Sequence, residues 1–169
     1  MKFKKLNKPY IIAEIGINHE GSYSLAKKLI FEAKKAGADA VKFQVFKPNT
    51  IAVEKSKKTR FQKKSIKKEN LSSIWKRVCL DYRSLKKLSY FSKKLKIDFI
   101  CTAFDFESLN LVKKLNLNAI KIASSDITDI PLLSEIYKLK KPVILSTGMS
   151  NEKEIHRAIK TINSKNLAL

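Results

Sequence analysis

Short apolar runs alternate along this chain with stretches whose apolar residues recur every three or four positions. The first pattern reads as a buried strand and the second as an amphipathic helix. Residues 10–16 open the series as a strand. Residues 22–35 follow as a helix, with Leu25, Leu29, Ile30 and Ala33 at helical spacing, Ser22 as its cap and Gly37 as its stop. Residues 40–46 form the second strand. The basic, apolar-poor stretch 47–70 is longer than a typical connection and reads as a functional or mobile loop. Residues 71–80 read as a short helix, and Asp81 caps another that runs to Leu95, with Leu85, Leu88, Phe91, Ser92 and Leu95 on one side. Then come strand 99–104, helix 107–115, strand 119–124, helix 132–139, strand 142–147 and helix 151–162. The tail, 163–169, carries no further strand pattern.

Strands separated by helices predict βαβ units and a parallel sheet covered by helices. No GxGxxG follows the first strand and no GxxxxGK[ST] occurs, so a dinucleotide or nucleoside triphosphate is not indicated. A flavodoxin-like open sheet and part of a (β/α)8 barrel remain. The barrel is favoured, because polar residues stand at the C-terminal end of each strand in turn, where barrel enzymes keep their chemistry. The expected architecture is α/β, a partial TIM barrel of about five βα units with parallel strands. Residues 1–9 read as an N-terminal extension and 10–169 as the truncated barrel domain.

Charge adds a question. The 169 residues include 36 Lys+Arg against 15 Asp+Glu, a formal net charge of +21 that invites a nucleic-acid reading. Only Arg60, Arg77, Arg83 and Arg157 are arginines, whereas base-edge and bidentate phosphate recognition favour Arg. The lysines are spread over nearly every helix, as solvated faces would be, so nucleic acid is not favoured as a partner. Cys79 and Cys101 show no metal-type spacing and are too few for a disulfide scaffold, which points to a reducing compartment. The N-terminal segment does not read as a signal peptide and no apolar stretch reaches membrane-spanning length, so neither is expected. A soluble, cytoplasmic protein with no membrane partner is expected.

The strand ends gather the candidate chemistry. The first strand contributes Glu14, with Asn18, His19 and Glu20 beyond it, and the second Lys42 and Gln44, which share a face by alternation. The third contributes Thr102 and Asp105, the fourth Lys121, Ser124, Ser125 and Asp126, and the fifth Ser146 and Thr147. Lys42 and Lys121 lie inside otherwise apolar strands, where an unpaired ammonium is costly. Together with the hydroxyls they suggest a pocket for a dianion such as a phosphate ester, unless each pairs with a strand carboxylate, Glu14 being the obvious one. His19 reads as a hydrogen-bonding structural residue and His156 as a surface one. Trp75 reads better as a helix side chain packing on the barrel exterior than as a base-stacking position. No metal site is recognisable.

The segments Ile12-Ala13-Glu14-Ile15-Gly16-Ile17-Asn18-His19-Glu20-Gly21, Val41-Lys42-Phe43-Gln44, Cys101-Thr102-Ala103-Phe104-Asp105, Lys121-Ile122-Ala123-Ser124-Ser125-Asp126 and Leu145-Ser146-Thr147-Gly148-Met149 occur in series at barrel spacing. Together they resemble the amino-terminal catalytic barrel of the sialic acid (N-acetylneuraminate) synthase family, which includes legionaminic and pseudaminic acid synthases and spore-coat polysaccharide relatives. The resemblance runs from about residue 10 to 162. It implies condensation of phosphoenolpyruvate with an N-acylated amino sugar and water, releasing phosphate and a sialic-type acid. It also implies a divalent metal, Mn or Mg, that polarises the sugar aldehyde. Carried onto matching positions, Lys42, Thr102, Lys121, Ser124 and Ser146 would hold the phosphate and carboxylate of phosphoenolpyruvate. Glu14 and Gln44 would face the sugar end. Asp126 stands where many members carry a Glu proposed for proton transfer, which makes Glu14 and Asp126 the catalytic candidates.

The chain shows five strand patterns where a full barrel has eight. The family's metal-binding histidines belong to later strands, so no metal ligand is expected here, and its carboxy-terminal antifreeze-like domain is expected to be missing too; the family's usual domain-swapped arrangement implies a homodimer. Little synthase activity is expected of this chain alone. Two other readings stand beside this one: another phosphoenolpyruvate- or phosphosugar-using barrel enzyme, such as the 3-deoxy-sugar-acid synthases, and a basic polyanion-binding protein using the loop 55–68.

Overall fold

The computed structural model describes residues 8–51, 70–115 and 117–169. The loop 55–68 with Phe61, and residues 1–7 of the expected extension, lie outside the described residues. Strand β1 (Ile12–Gly16) leads through α1 (Tyr23–Lys35) to β2 (Ala40–Val45). Helices α2 (Leu71–Val78) and α3 (Tyr82–Lys94) precede β3 (Asp98–Ala103). Helix α4 (Phe106–Val112) connects to β4 (Ala119–Ile122), and α5 (Ile130–Lys138) to β5 (Val143–Leu145). Helix α6 (Glu152–Ile162) returns the chain to β6 (Leu167–Ala168).

Short polar side chains start these helices. Ser22, Asn70, Asp81, Asp105, Asp129 and Asn151 each accept a backbone N–H three residues on, satisfying an amide the helix cannot pair itself. The expected cap and stop of α1 are both present, with Gly37 at φ +87 just beyond the C-cap.

The six strands are all parallel and pair in chain order, β1 to β6. A flavodoxin-like sheet would reverse direction after its second strand; consecutive order is the wall of a (β/α)8 barrel. Alternation sorts the side chains. Val41, Phe43, Val45, Phe99, Cys101, Ile120, Ile122, Val143 and Leu145 are buried beneath the helices, against Ile30, Leu85, Leu88, Leu109, Leu132, Leu133 and Ile136 among others. The opposite face carries Ala40, Ile100 and Ala119 with Tyr10, Ile12 and Ile144, an apolar tier at the N-terminal part of the strands. Lys42, Gln44, Thr102 and Lys121 follow it on the same face, nearer the C-terminal ends.

Two expectations need correcting. The tail does form a strand: Val143 and Ile144 pair with Leu167 and Ala168, and the Val143 N–H donates to the Asn166 carbonyl at 3.1 Å. Two residues are too few to carry a periodicity, and the open edge of β5 supplies the pairing. Helix α5 starts at Ile130 rather than after Pro131, since proline is tolerated in a first turn whose N–H groups have no intrahelical partner. Trp75 packs as a helix side chain, partly buried. It meets Phe46 edge-on at 5.2 Å in a cluster with Ile17 and Phe104, residues that follow the ends of β1, β2 and β3.

Candidate functional site

The polar tier begins at the end of β1. Gly16 has φ +54, and a Cβ there would lie 3.1 Å from Glu14 Oε1 and 3.6 Å from Gln44 Nε2, so both side chains close over bare backbone. Glu14 and Lys42 are register partners across β1 and β2 and form an ion pair, with the Lys42 side chain 13% exposed and Glu14 49%. The carboxylate pairing expected as one reading of Lys42 is thus present.

Two residues further along, Gln44, Thr102 and Lys121 form one cross-strand row over β2, β3 and β4. The Ser146 N–H donates to the Ile122 carbonyl at 3.1 Å, which sets the end of β5 beside that of β4. Ser124 opens a single 3-10 turn, Ser124–Asp126, directly after β4. The candidates thus share the C-terminal ends of β1–β5. A cavity of about 430 Å3 lined by Tyr137, Lys140, Lys141 and Asn163 lies at the N-terminal end of β5, and none of the candidates borders it.

Burial and neighbouring charge set the protonation of this tier. Lys121 lacks a carboxylate partner among the described residues, and its amine donates to the Ile122 carbonyl. Burial, reinforced by the positive charge of Lys42 and opposed by Glu14 and Asp126, pushes the Lys121 ammonium down to about 8. Asp126 moves the other way. Burial raises its carboxyl above the ordinary aspartate range despite a 2.9 Å bond from Ser125 Oγ, and its second oxygen, Oδ2, is buried with no hydrogen-bond partner among the described residues.

Asp105, also read as a strand-end polar residue, is committed to structure. It accepts from the Ser108 amide (2.6 Å) and hydroxyl (2.9 Å), the Lys47 amide (3.2 Å) and the Thr50 hydroxyl (2.9 Å). Burial raises its carboxyl, but these donors outweigh burial and hold it below the usual range. His19 makes the hydrogen bond expected of it, although its Nε2 is buried without a partner among the described residues. It is buried, stacks on Phe43, and its Nδ1 accepts the Gly21 N–H at 3.0 Å, which puts the ring proton on Nε2. His156 is exposed on α6.

Sequence reading passed over Gly16; the Glu-Ile-Gly triplet at a strand end was the available signal. Among the described residues, no three of His, Cys, Asp and Glu converge to hold a metal ion, so the donor set here does not fit the divalent metal the resemblance implies. No described helix is long and apolar enough to cross a membrane, and both cysteines are free.

A parallel sheet in chain order, with its charged and hydroxylic residues at the C-terminal strand ends, defines a barrel-type α/β domain. Comparison with known proteins narrows the class. The chain belongs to the NeuB family, whose profile matches residues 29–169. It is 43% identical over 158 residues to the N,N'-diacetyllegionaminic acid synthase of Campylobacter jejuni, covering 93% of this chain and 47% of that protein. The crystal structure of N-acetylneuraminic acid (sialic acid) synthetase from Leptospira borgpetersenii, in complex with citrate, superposes with a TM-score of 0.78 at 31% identity, covering 93% of this chain and 50% of that one. A truncated 3-deoxy-D-arabino-heptulosonate 7-phosphate synthase from Thermotoga maritima superposes with a TM-score of 0.66 at 15% identity over 95% of this chain and 51% of its own, a likeness of fold alone. The chain spans about half the length of the curated relatives it matches.

Proposed function

We propose that this chain carries the phosphoenolpyruvate-holding half of a sialic-acid-synthase-type site, for condensation of phosphoenolpyruvate with an N-acylated amino sugar and water. The observation that carries the reading is the pair Lys42 and Lys121, set on one face of β2 and β4 beside Thr102, Ser124 and Ser146. Two ammonium groups match the charge of a phosphate and carboxylate on one small molecule, and the hydroxyls supply directional donors. Family membership and relatives that make legionaminic and sialic acids support the choice of reaction.

In this mechanism Lys42, Lys121 and the hydroxyls fix the enol, and Glu14 and Gln44 orient the sugar from the β1 side. The enol carbon attacks the sugar aldehyde, whose oxygen must gain a proton. Asp126, with its carboxyl held above the ordinary range, donates it. The attacking carbon is the methylene terminus, so positive charge develops on its neighbour, the carbon that bears the phosphate. Water adds there and loses a proton, and the bond from that carbon to the phosphate oxygen breaks as phosphate leaves. The reading carries with it a manganese or magnesium ion, for which the described residues form no ligand group, so no step above runs through it. It also carries a homodimeric, cytoplasmic enzyme.

Calorimetric titration of phosphoenolpyruvate into the full chain at low salt is the test. Lys42→Ala and Lys121→Ala are expected each to weaken binding about tenfold or more, the scale of a hydrogen bond to a charged group. Lys93→Ala, on the exposed surface of α3, is expected to leave it unchanged. Equal losses in all three variants, or a salt-steep binding indifferent to Lys42 and Lys121, would instead favour a diffuse polyanion surface.

A further inference from the structure

Lys121 is poorly explained as a surface cation. It stands in β4 between buried Ile120 and Ile122, and Thr102 of β3 is its register partner. Lys42 on the same face has a carboxylate of its own, Glu14. Among the described residues, the amine of Lys121 has only the Ile122 carbonyl. The charged groups acting on it are Lys42 from β2, Glu14 from β1 and Asp126 from the turn after β4. A lysine that is half desolvated, unpaired with any described carboxylate and opposed by a second cation gives up its proton readily, and the free amine is a nucleophile.

We infer that Lys121 is an imine-forming residue, capturing aldehydes and ketones that bear a phosphate or carboxylate, with Lys42 holding the anionic group. The amine lone pair forms the C–N bond as the carbonyl π pair moves onto oxygen. A proton passes from nitrogen to that oxygen, giving a carbinolamine. Its hydroxyl takes up a further proton and departs as water while the nitrogen lone pair closes the C=N bond. No electrons enter or leave, and the proton for the departing water is within the means of Asp126, whose Oδ2 has no competing partner among the described residues. The inference shares the anion-holding residues of the synthase reading but not its reaction, because phosphoenolpyruvate has neither an aldehyde nor a ketone.

Pyridoxal 5′-phosphate is the probe. The full chain is incubated with it at pH 8, the imine is trapped with borohydride, and labelled lysines are mapped by peptide mass spectrometry. Lys121 is expected to label on the order of tenfold faster than exposed Lys93 and Lys153, given its larger free-amine fraction at that pH. Pyridoxal, which lacks the phosphate, is expected to lose that preference, and phosphoenolpyruvate to suppress it. Label spread evenly over surface lysines would overturn the inference, and equal preference with pyridoxal would remove the role of Lys42. Phosphoenolpyruvate binding, measured separately, keeps the two readings apart. Binding without selective labelling leaves the synthase reading standing alone, and selective labelling without binding does the reverse.

Discussion

Lys121 and Asp126 lie five positions apart, and burial moves them in opposite senses, lowering the lysine and raising the carboxyl. This has a consequence for ligand binding. An anion held by Lys121 needs the ammonium form, and the free amine titrates at about 8. Phosphoenolpyruvate affinity is therefore expected to fall about tenfold between pH 7 and pH 9, as the charged fraction drops from most to a small minority. Calorimetry across that range checks it, and a flat profile would remove Lys121 from the anion site. Folding stability runs the other way. With its folded value depressed from 10.5 to about 8, Lys121 binds fewer protons in the native chain than in the unfolded one over that window. Its contribution to stability thus rises with pH between the two values. The strand pattern had already marked Lys42 and Lys121 as anomalous. It left open whether each was paired, because an ion pair depends on strand register, and only Lys42 proved to have a carboxylate opposite.

Among the elements, α6 shows how local chemistry serves the sheet. It buries Ala158 and Ile162, and it has to turn the chain back so that β6 meets β5. Asn151 accepts the Glu154 amide at 3.0 Å while Glu154 accepts the Asn151 amide at 2.9 Å, a reciprocal capping box. Asn151→Ala is expected to destabilise the chain by ~1 kcal/mol, seen as a lower denaturant midpoint. An unchanged midpoint would mean that α6 is held by packing alone. Caps and apolar faces of this kind are local, which is why the helices were legible within a few residues of their true ends. Strand β6 was not, because nothing within Leu167–Ala168 asks for a strand until β5 offers its unpaired edge.

At the scale of the whole molecule, positive charge prevails. Against 36 basic side chains stand 15 acidic ones; ion pairs among the described residues include Lys42–Glu14, Lys47–Glu107 and Lys113–Glu135–Lys138. Self-repulsion at a net +21 opposes the compact state and is screened by salt over about 10 Å at 0.1 M. The melting temperature is accordingly expected to rise as sodium chloride is raised from about 0.01 to 0.15 M, across which the screening length shortens several-fold. A melting temperature that falls over this range would mean that attractive pairs outweigh the repulsion. The same screening weakens any binding that rests on diffuse surface lysines more than binding at the half-buried Lys42 and Lys121.

Local preferences, written in periodicity and capping residues, determined the order of strands and helices and brought the polar strand ends into view. The resemblance carried by those same residues pointed to the family. What needed the tertiary structure was everything that depends on which strand lies beside which. Consecutive pairing separates a barrel wall from an open doubly wound sheet. Register joins Glu14 to Lys42 and leaves Lys121 without a carboxylate among the described residues. Close approach makes Gly16 the floor beneath Glu14 and Gln44. Each is a contact between distant parts of the chain, decided by packing and hydrogen-bond pairing that no local window contains.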